Sequence, residues 1–90
     1  MIIGKVVGRL WSTRKDERLN GQKFLVVKPM KDNNKDSENY FVAADVVGAG
    51  NGDLVLVTQG GSARHAVGIK EVPVDATIIG IVDSIEVNDE

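Results

Sequence analysis

The sequence predicts a mostly-β domain: a small, partly closed barrel of five short strands with one brief helix. Valine and isoleucine supply 21 of the 90 residues, and β-branched side chains suit the pleated, half-buried surface of a strand. Apolar runs of five to ten residues are punctuated by Gly, Pro, Asn and Asp, which is the spacing of strands joined by turns. A chain of 90 residues holds one domain, spanning 1–90, and not two.

The first strand is expected over 2–11, where Ile2, Gly4, Val6, Gly8 and Leu10 alternate with Ile3, Lys5, Val7, Arg9 and Trp11. The first set is small and apolar and is assigned to a tight barrel interior. A second strand is expected over 22–30. Residues 31–38 are wholly polar and rich in turn formers, so they read as an exposed hairpin loop. A third strand follows over 39–46. Gly48, Gly50 and Gly52 then form the densest glycine run. The third glycine arrives one residue early for Gly-x-Gly-x-x-Gly, and no Lys-Ser/Thr follows for a phosphate loop. A tight turn into a fourth strand, 53–59, is the simpler reading. Gly60 and Gly61 make a second turn before a helix near 62–67, with Ser62 capping its first turn. The last strand is expected over 78–87. Five strands with one helix place the barrel in the OB class.

Two of these strands are apolar on both faces. Leu54, Val55, Leu56 and Val57 fill the fourth, while the last sets Ile78 and Val82 against Ile79, Ile81, Ile85 and Val87. Strands of that kind are covered on both sides, yet an antiparallel barrel of this length has no second layer. Neighbouring subunits are expected to supply it, since soluble monomers rarely expose so large an apolar patch. The chain is therefore expected to be an obligate oligomer.

Other classes are disfavoured residue by residue. No apolar stretch approaches the ~20 residues of a membrane-spanning helix, and the start, Met1-Ile2-Ile3-Gly4-Lys5, lacks the apolar core of a signal peptide. A cytoplasmic protein is expected. The absence of cysteine excludes disulfides, thiolate metal sites and a thiol nucleophile. His65 is the only histidine and has no co-ligands at metal-site spacing. Ser62, His65 and Asp75 supply the residue types of a triad, but no nucleophile elbow accompanies them. Neither a cofactor nor catalysis is expected.

The net charge of −2 is unevenly spread, +6 over residues 1–35 and −8 over residues 36–90. A barrel interleaves its strands, so this split need not become a surface patch. A chain with one basic and one acidic flank can also meet its own copies head to tail. Single-stranded nucleic acid is the alternative partner, through Phe24, Tyr40 and Phe41 beside Lys23, Lys28 and Lys31. An acidic isoelectric point near 5.3 and so few aromatics argue against it.

Ordered along the chain are Gly4-Lys5-Val6-Val7-Gly8, then Leu10-Trp11-Ser12-Thr13-Arg14-Lys15, then Leu19-Asn20-Gly21-Gln22-Lys23-Phe24-Leu25. They are followed by the run from Ala44-Asp45-Val46-Val47-Gly48 to Val57, by Gln59-Gly60-Gly61-Ser62-Ala63-Arg64, and by Pro73-Val74-Asp75-Ala76 through Asp83. This ordered set resembles the EutN/CcmL family, the pentameric vertex proteins of bacterial microcompartment shells. Gly61 stands where the family commonly has serine, and Asp53 where it often has glutamate. The resemblance implies a cyclic homopentamer that occupies five-fold shell vertices among hexameric shell proteins, catalyses nothing, and engages neither nucleic acid nor membrane. It also implies a narrow five-fold pore framed by Gly60, Gly61 and Ser62. The subunit interface is expected at Trp11, Thr13, Arg14 and Lys15 on one side. Asp45, Arg64 and Asp75 are expected as their partners or as local turn anchors.

Overall fold

The computed structural model describes residues 1–11, 17–19, 21–30, 39–67 and 74–86. Its strands are β1 (Ile2–Arg9), β2 (Lys23–Pro29), β3 (Phe41–Asp45), β4 (Leu54–Gln59) and β5 (Ala76–Ile81). A single turn of 3-10 helix, Glu17–Leu19, precedes β2, and one α-helix, α1 (Gly61–Val67), joins β4 to β5. The strands close in the order β1-β2-β3-β5-β4. The expected loop 31–38 lies outside the described residues, as does Val87. Among the described residues no helix is long and apolar enough to cross a membrane.

Four of the five pairings are antiparallel, but β3 and β5 run parallel, joined only at Ala44↔Thr77 and Asp45↔Ile78. The barrel is thus not the purely antiparallel one expected. Its stagger is large. Following partners from Ile2 leads to Val57, Ile78, Asp45 and Lys23, and Lys23 lies past Leu25, the partner of Arg9. The path returns to β1 beyond its far end, which is the shear that closes a small number of strands into a tilted barrel. Val6, Leu25, Val27, Val55, Val57 and Ile78 fill the interior at 0–1% exposure. Each such side chain contributes about 1.5–3 kcal/mol by leaving water.

Several boundaries differ from the sequence expectation, and each has a local cause. A bulge between Val6 and Gly8 shifts the side-chain phase of β1. Leu10, assigned above to the interior, is therefore exposed. The third strand stops at Asp45 because its carboxylate takes the amides of Val47 and Ala49, bending the chain away. β5 starts two residues early, with Ala76 opposite Gln59, and ends at Ile81. Its partner runs out there: Val82 N donates to Leu54 O at 2.8 Å, and Leu54 is the first residue of β4.

Helix α1 opens at Gly61 rather than being capped by Ser62. The carbonyl of Gly60 accepts from Ala63 N (3.1 Å) and Arg64 N (3.4 Å), so Gly60 is the capping residue, with φ +67° that a glycine adopts without strain. Seven residues make no stable helix in isolation. This one is fastened to the barrel wall by Ala63, fully buried, whose carbonyl accepts from Thr77 Oγ1 at 2.8 Å. Thr77→Val is expected to cost about 1 kcal/mol, read as a lower urea midpoint at unchanged slope, with Thr77→Ser retaining most of it.

Candidate assembly surfaces

Where β3 ends, four groups converge. Asp45 faces Lys23 across the β2–β3 ladder, and its carboxylate is 1% exposed. Oδ1 accepts from Val47 N at 3.1 Å and Oδ2 from Ala49 N at 2.9 Å. Lys23 Nζ sits 3.5 Å from Oδ2 and donates to the Ala49 carbonyl at 2.9 Å. The pair ties the basic first half of the chain to the acidic second half. It also pins Ala49 into the core and turns Val46 and Val47 outward, 45% and 38% exposed. With its oxygens occupied inside its own chain, Asp45 acts as the local turn anchor. The next turn is held similarly: Gly50 N donates to Asp53 Oδ2 and Asp53 N to Gly50 O. No phosphate-binding helix follows; β4 does, so the run is the tight turn its spacing implies.

Trp11 lies at this same end, just past the bond from Leu10 N to Phe24 O. Its ring is 82% exposed, with the Arg9 guanidinium 5.5 Å from the ring centroid. The ring thus keeps most of its apolar area in water, with one cation over its face. Thr13, Arg14 and Lys15 lie outside the described residues.

The other end brings together the remaining expected residues. Gly60 N donates to the Asp75 carbonyl at 2.8 Å, which holds the Gly60–Ser62 turn beside the entry to β5. Gly60, Gly61, Ser62, Arg64 and Asp75 are all exposed there. Among the described residues no side-chain hydrogen bond links Ser62, His65 and Asp75 into a relay; the Asp75 group in use is its backbone carbonyl. The aromatic platform also divides. Phe24 packs beside Ala44 and Val74, and Phe41 packs against the core, which leaves Tyr40 as the exposed member at 58%.

One surface escaped the sequence reading. Upstream of Ala44 the parallel β3–β5 pair splays, opening a cleft of about 150 Å³ lined by Phe24, Val42, Ala44, Val74, Asp75 and Ala76. Only the parallel pairing places 74–76 alongside β3, and no local pattern announces that pairing.

The chain matches the family described as "Ethanolamine utilisation protein EutN/carboxysome" over residues 1–83. It is 43% identical to the bacterial microcompartment shell vertex protein GrpN of Rhodospirillum rubrum over 96% of this chain and 97% of the relative. Among solved structures, CcmL of Gloeobacter violaceus superposes with a TM-score of 0.90 at 40% identity, covering 98% of this chain and 91% of that one. The structure described as the GrpN pentameric microcompartment shell protein superposes with a TM-score of 0.86 at 41% identity, over 98% of this chain and all of that one. Sequence and three-dimensional likeness agree over nearly the full chain, and it belongs to the EutN/CcmL family.

Proposed function

We propose that this chain is a structural vertex protein of a bacterial microcompartment shell in the cytoplasm, acting as a ring of five identical subunits. The observation that carries the reading is full-length likeness to a pentameric shell protein. The outward Leu54 and Leu56 of β4, next to Val55 and Val57 in the core, support it, because a ring gives those outer faces something to cover them. The physical task is curvature. A flat hexagonal layer closes into a polyhedron only where five-fold units replace six-fold ones, so the partners are hexameric shell proteins and no bond is made or broken. Gly60, Gly61 and Ser62 frame the five-fold opening in this reading. Trp11, Thr13, Arg14 and Lys15 contribute to one side of the subunit contact, and Arg64 and Asp75 to the other.

Co-expression with hexamer-forming shell proteins tests the role: closed polyhedral particles form with this chain, and open sheets or tubes form without it. Particles that close equally well in its absence overturn the reading. Trp11 is the only tryptophan, so its emission reports the contact directly. It is expected to shift to the blue as the protomer concentration rises through assembly, and Trp11→Ala is expected to weaken assembly at least tenfold, the effect of an aromatic anchor worth about 2 kcal/mol. Emission that stays at the solvent-exposed wavelength in the assembled state would remove Trp11 from the interface.

A further inference from the structure

Glycine follows asparagine at two places in the chain, Asn20-Gly21 and Asn51-Gly52. Asn20 lies outside the described residues, whereas Asn51 stands on the turn into β4, where it and Gly52 are both exposed. Asparagine before glycine is the pair in which a chain most readily attacks itself. The glycine nitrogen gives up its proton and bonds to the asparagine Cγ, the side-chain nitrogen leaves with that proton as ammonia, and a five-membered succinimide is formed. Glycine has no Cβ to crowd the closure. Water then opens one of the two ring carbonyls, leaving aspartate or, where the main chain now runs through Cγ, isoaspartate.

In the folded barrel the proton that must leave is already engaged. Gly52 N donates to Val6 O at 2.8 Å and Val6 N donates to Asp53 O at 2.9 Å, which carries the β1–β4 ladder past Lys5 opposite Leu54. The turn is clamped as well, by Asp53 N on Gly50 O and by Gly50 N on Asp53 Oδ2 at 2.8 Å, with Gly52 at φ +90° in its third position. Succinimide closure and the bond to Val6 use the same nitrogen, so each excludes the other. Isoaspartate adds one carbon to the main chain directly before Gly52. Val6, 1% exposed in the core, then loses its register with Asp53.

We propose that Asn51 is a latent self-modification site, shut by the Gly52–Val6 bond and released when this turn opens, and that its isoaspartyl product keeps the turn from closing again. The chemistry needs only water and does not depend on the ring. One sample of the protein is held folded in mildly alkaline heavy-oxygen water and another is held unfolded by urea in the same buffer. Peptide mass spectrometry then follows uptake of the heavy oxygen at residue 51. Conversion is expected to be at least about tenfold slower in the folded sample, a ratio set by the free energy of local opening. Asp53→Ala, which removes the carboxylate clamp on Gly50, is expected to raise the folded rate about tenfold, the effect of losing a hydrogen bond to a charged group, and to leave the unfolded rate unchanged. Asp53→Asn, which keeps an acceptor oxygen for Gly50 N, is expected to stay near the parent.

The isoaspartyl product, separated by chromatography, is expected to have lost hydrogen-exchange protection at the Val6 and Gly52 amides while the β2–β3 ladder keeps its own. Folded parent chains that convert as fast as unfolded ones would overturn the proposal, since the Val6 bond would then guard nothing. A product whose Gly52 amide is still protected would overturn it too, because the turn would have closed again around the added carbon.

Discussion

Gly4→Ala is expected to destabilise the barrel by about 3 kcal/mol, the upper end of what overpacking one methyl costs. A Cβ at this position would collide with Val27 Cγ1 and press on the Lys28 carbonyl oxygen at 3.0 Å. Neither can give way. Val27 is fully buried and, being β-branched, is stiff at χ1, while Lys28 is held in the β1–β2 ladder opposite Lys5. The close approach is what allows β1 to curl across the narrow interior. A domain of this size has roughly 5–14 kcal/mol of stability in total, and 3 kcal/mol corresponds to a melting midpoint lower by about 12–24 °C. The measurement needs a fixed protomer concentration, because assembly adds to apparent stability. In a double-mutant cycle, Val27→Ala is expected to cost less in the Gly4→Ala background than alone, since it makes room for the added methyl. A Gly4→Ala midpoint within 2 °C of the parent (about 0.3–0.5 kcal/mol) would show that the contact relaxes freely.

Asp45→Ala is the second large expected loss, about 2–4 kcal/mol. The substitution strips the amides of Val47 and Ala49 of their acceptor and leaves the Lys23 ammonium without its carboxylate. Unmaking hydrogen bonds to a desolvated charged group costs more than a neutral bond contributes. The Lys23 ammonium is itself 39% exposed, which keeps the figure below that of a fully buried ion pair. Asp45→Asn, which keeps one oxygen, is expected to lose about half as much. Hydrogen exchange locates the effect: the Ala49 and Gly50 amides are expected to lose protection first, with the β1–β2 ladder following only on global unfolding. Uniform loss of protection across the barrel would contradict a local anchor.

The existence and order of the elements were legible in the sequence because each rests on a short-range pattern. Apolar runs bounded by glycine turns or by the polar stretch 31–38 mark β1 to β4, and the 62–67 segment falls within one residue of α1. What was not legible depends on residues far apart in the chain. β5 ends where β4 runs out of carbonyls, at Leu54, although its own sequence continues as a strand pattern through Ile85. The outward turn of Leu10 follows from a bulge at Val7 that alternation alone does not reveal. The parallel β3–β5 join, and the cleft it opens, follow from the shear of the whole barrel.

The assembly surfaces divide in the same way. Oligomerisation was readable from strands apolar on both faces, because burial is a property of side-chain chemistry. Which strands share an outer face depends on their circular order, which sets β1 beside β4 although they lie far apart in the sequence. Five-foldness is a property of the angle between two faces of a rigid subunit and leaves no periodic mark on the chain. It was reached through the ordered motif set from Gly4 to Asp83 and the full-length likeness to a pentameric protein.

The central claim is that the working unit is a ring of five chains, and the mass of the purified protein tests it most directly. Native mass spectrometry is predicted to find five chains of 9.7 kDa, a particle of about 48.5 kDa. A monomer of 9.7 kDa, or a closed assembly with any other number of chains, would contradict the account.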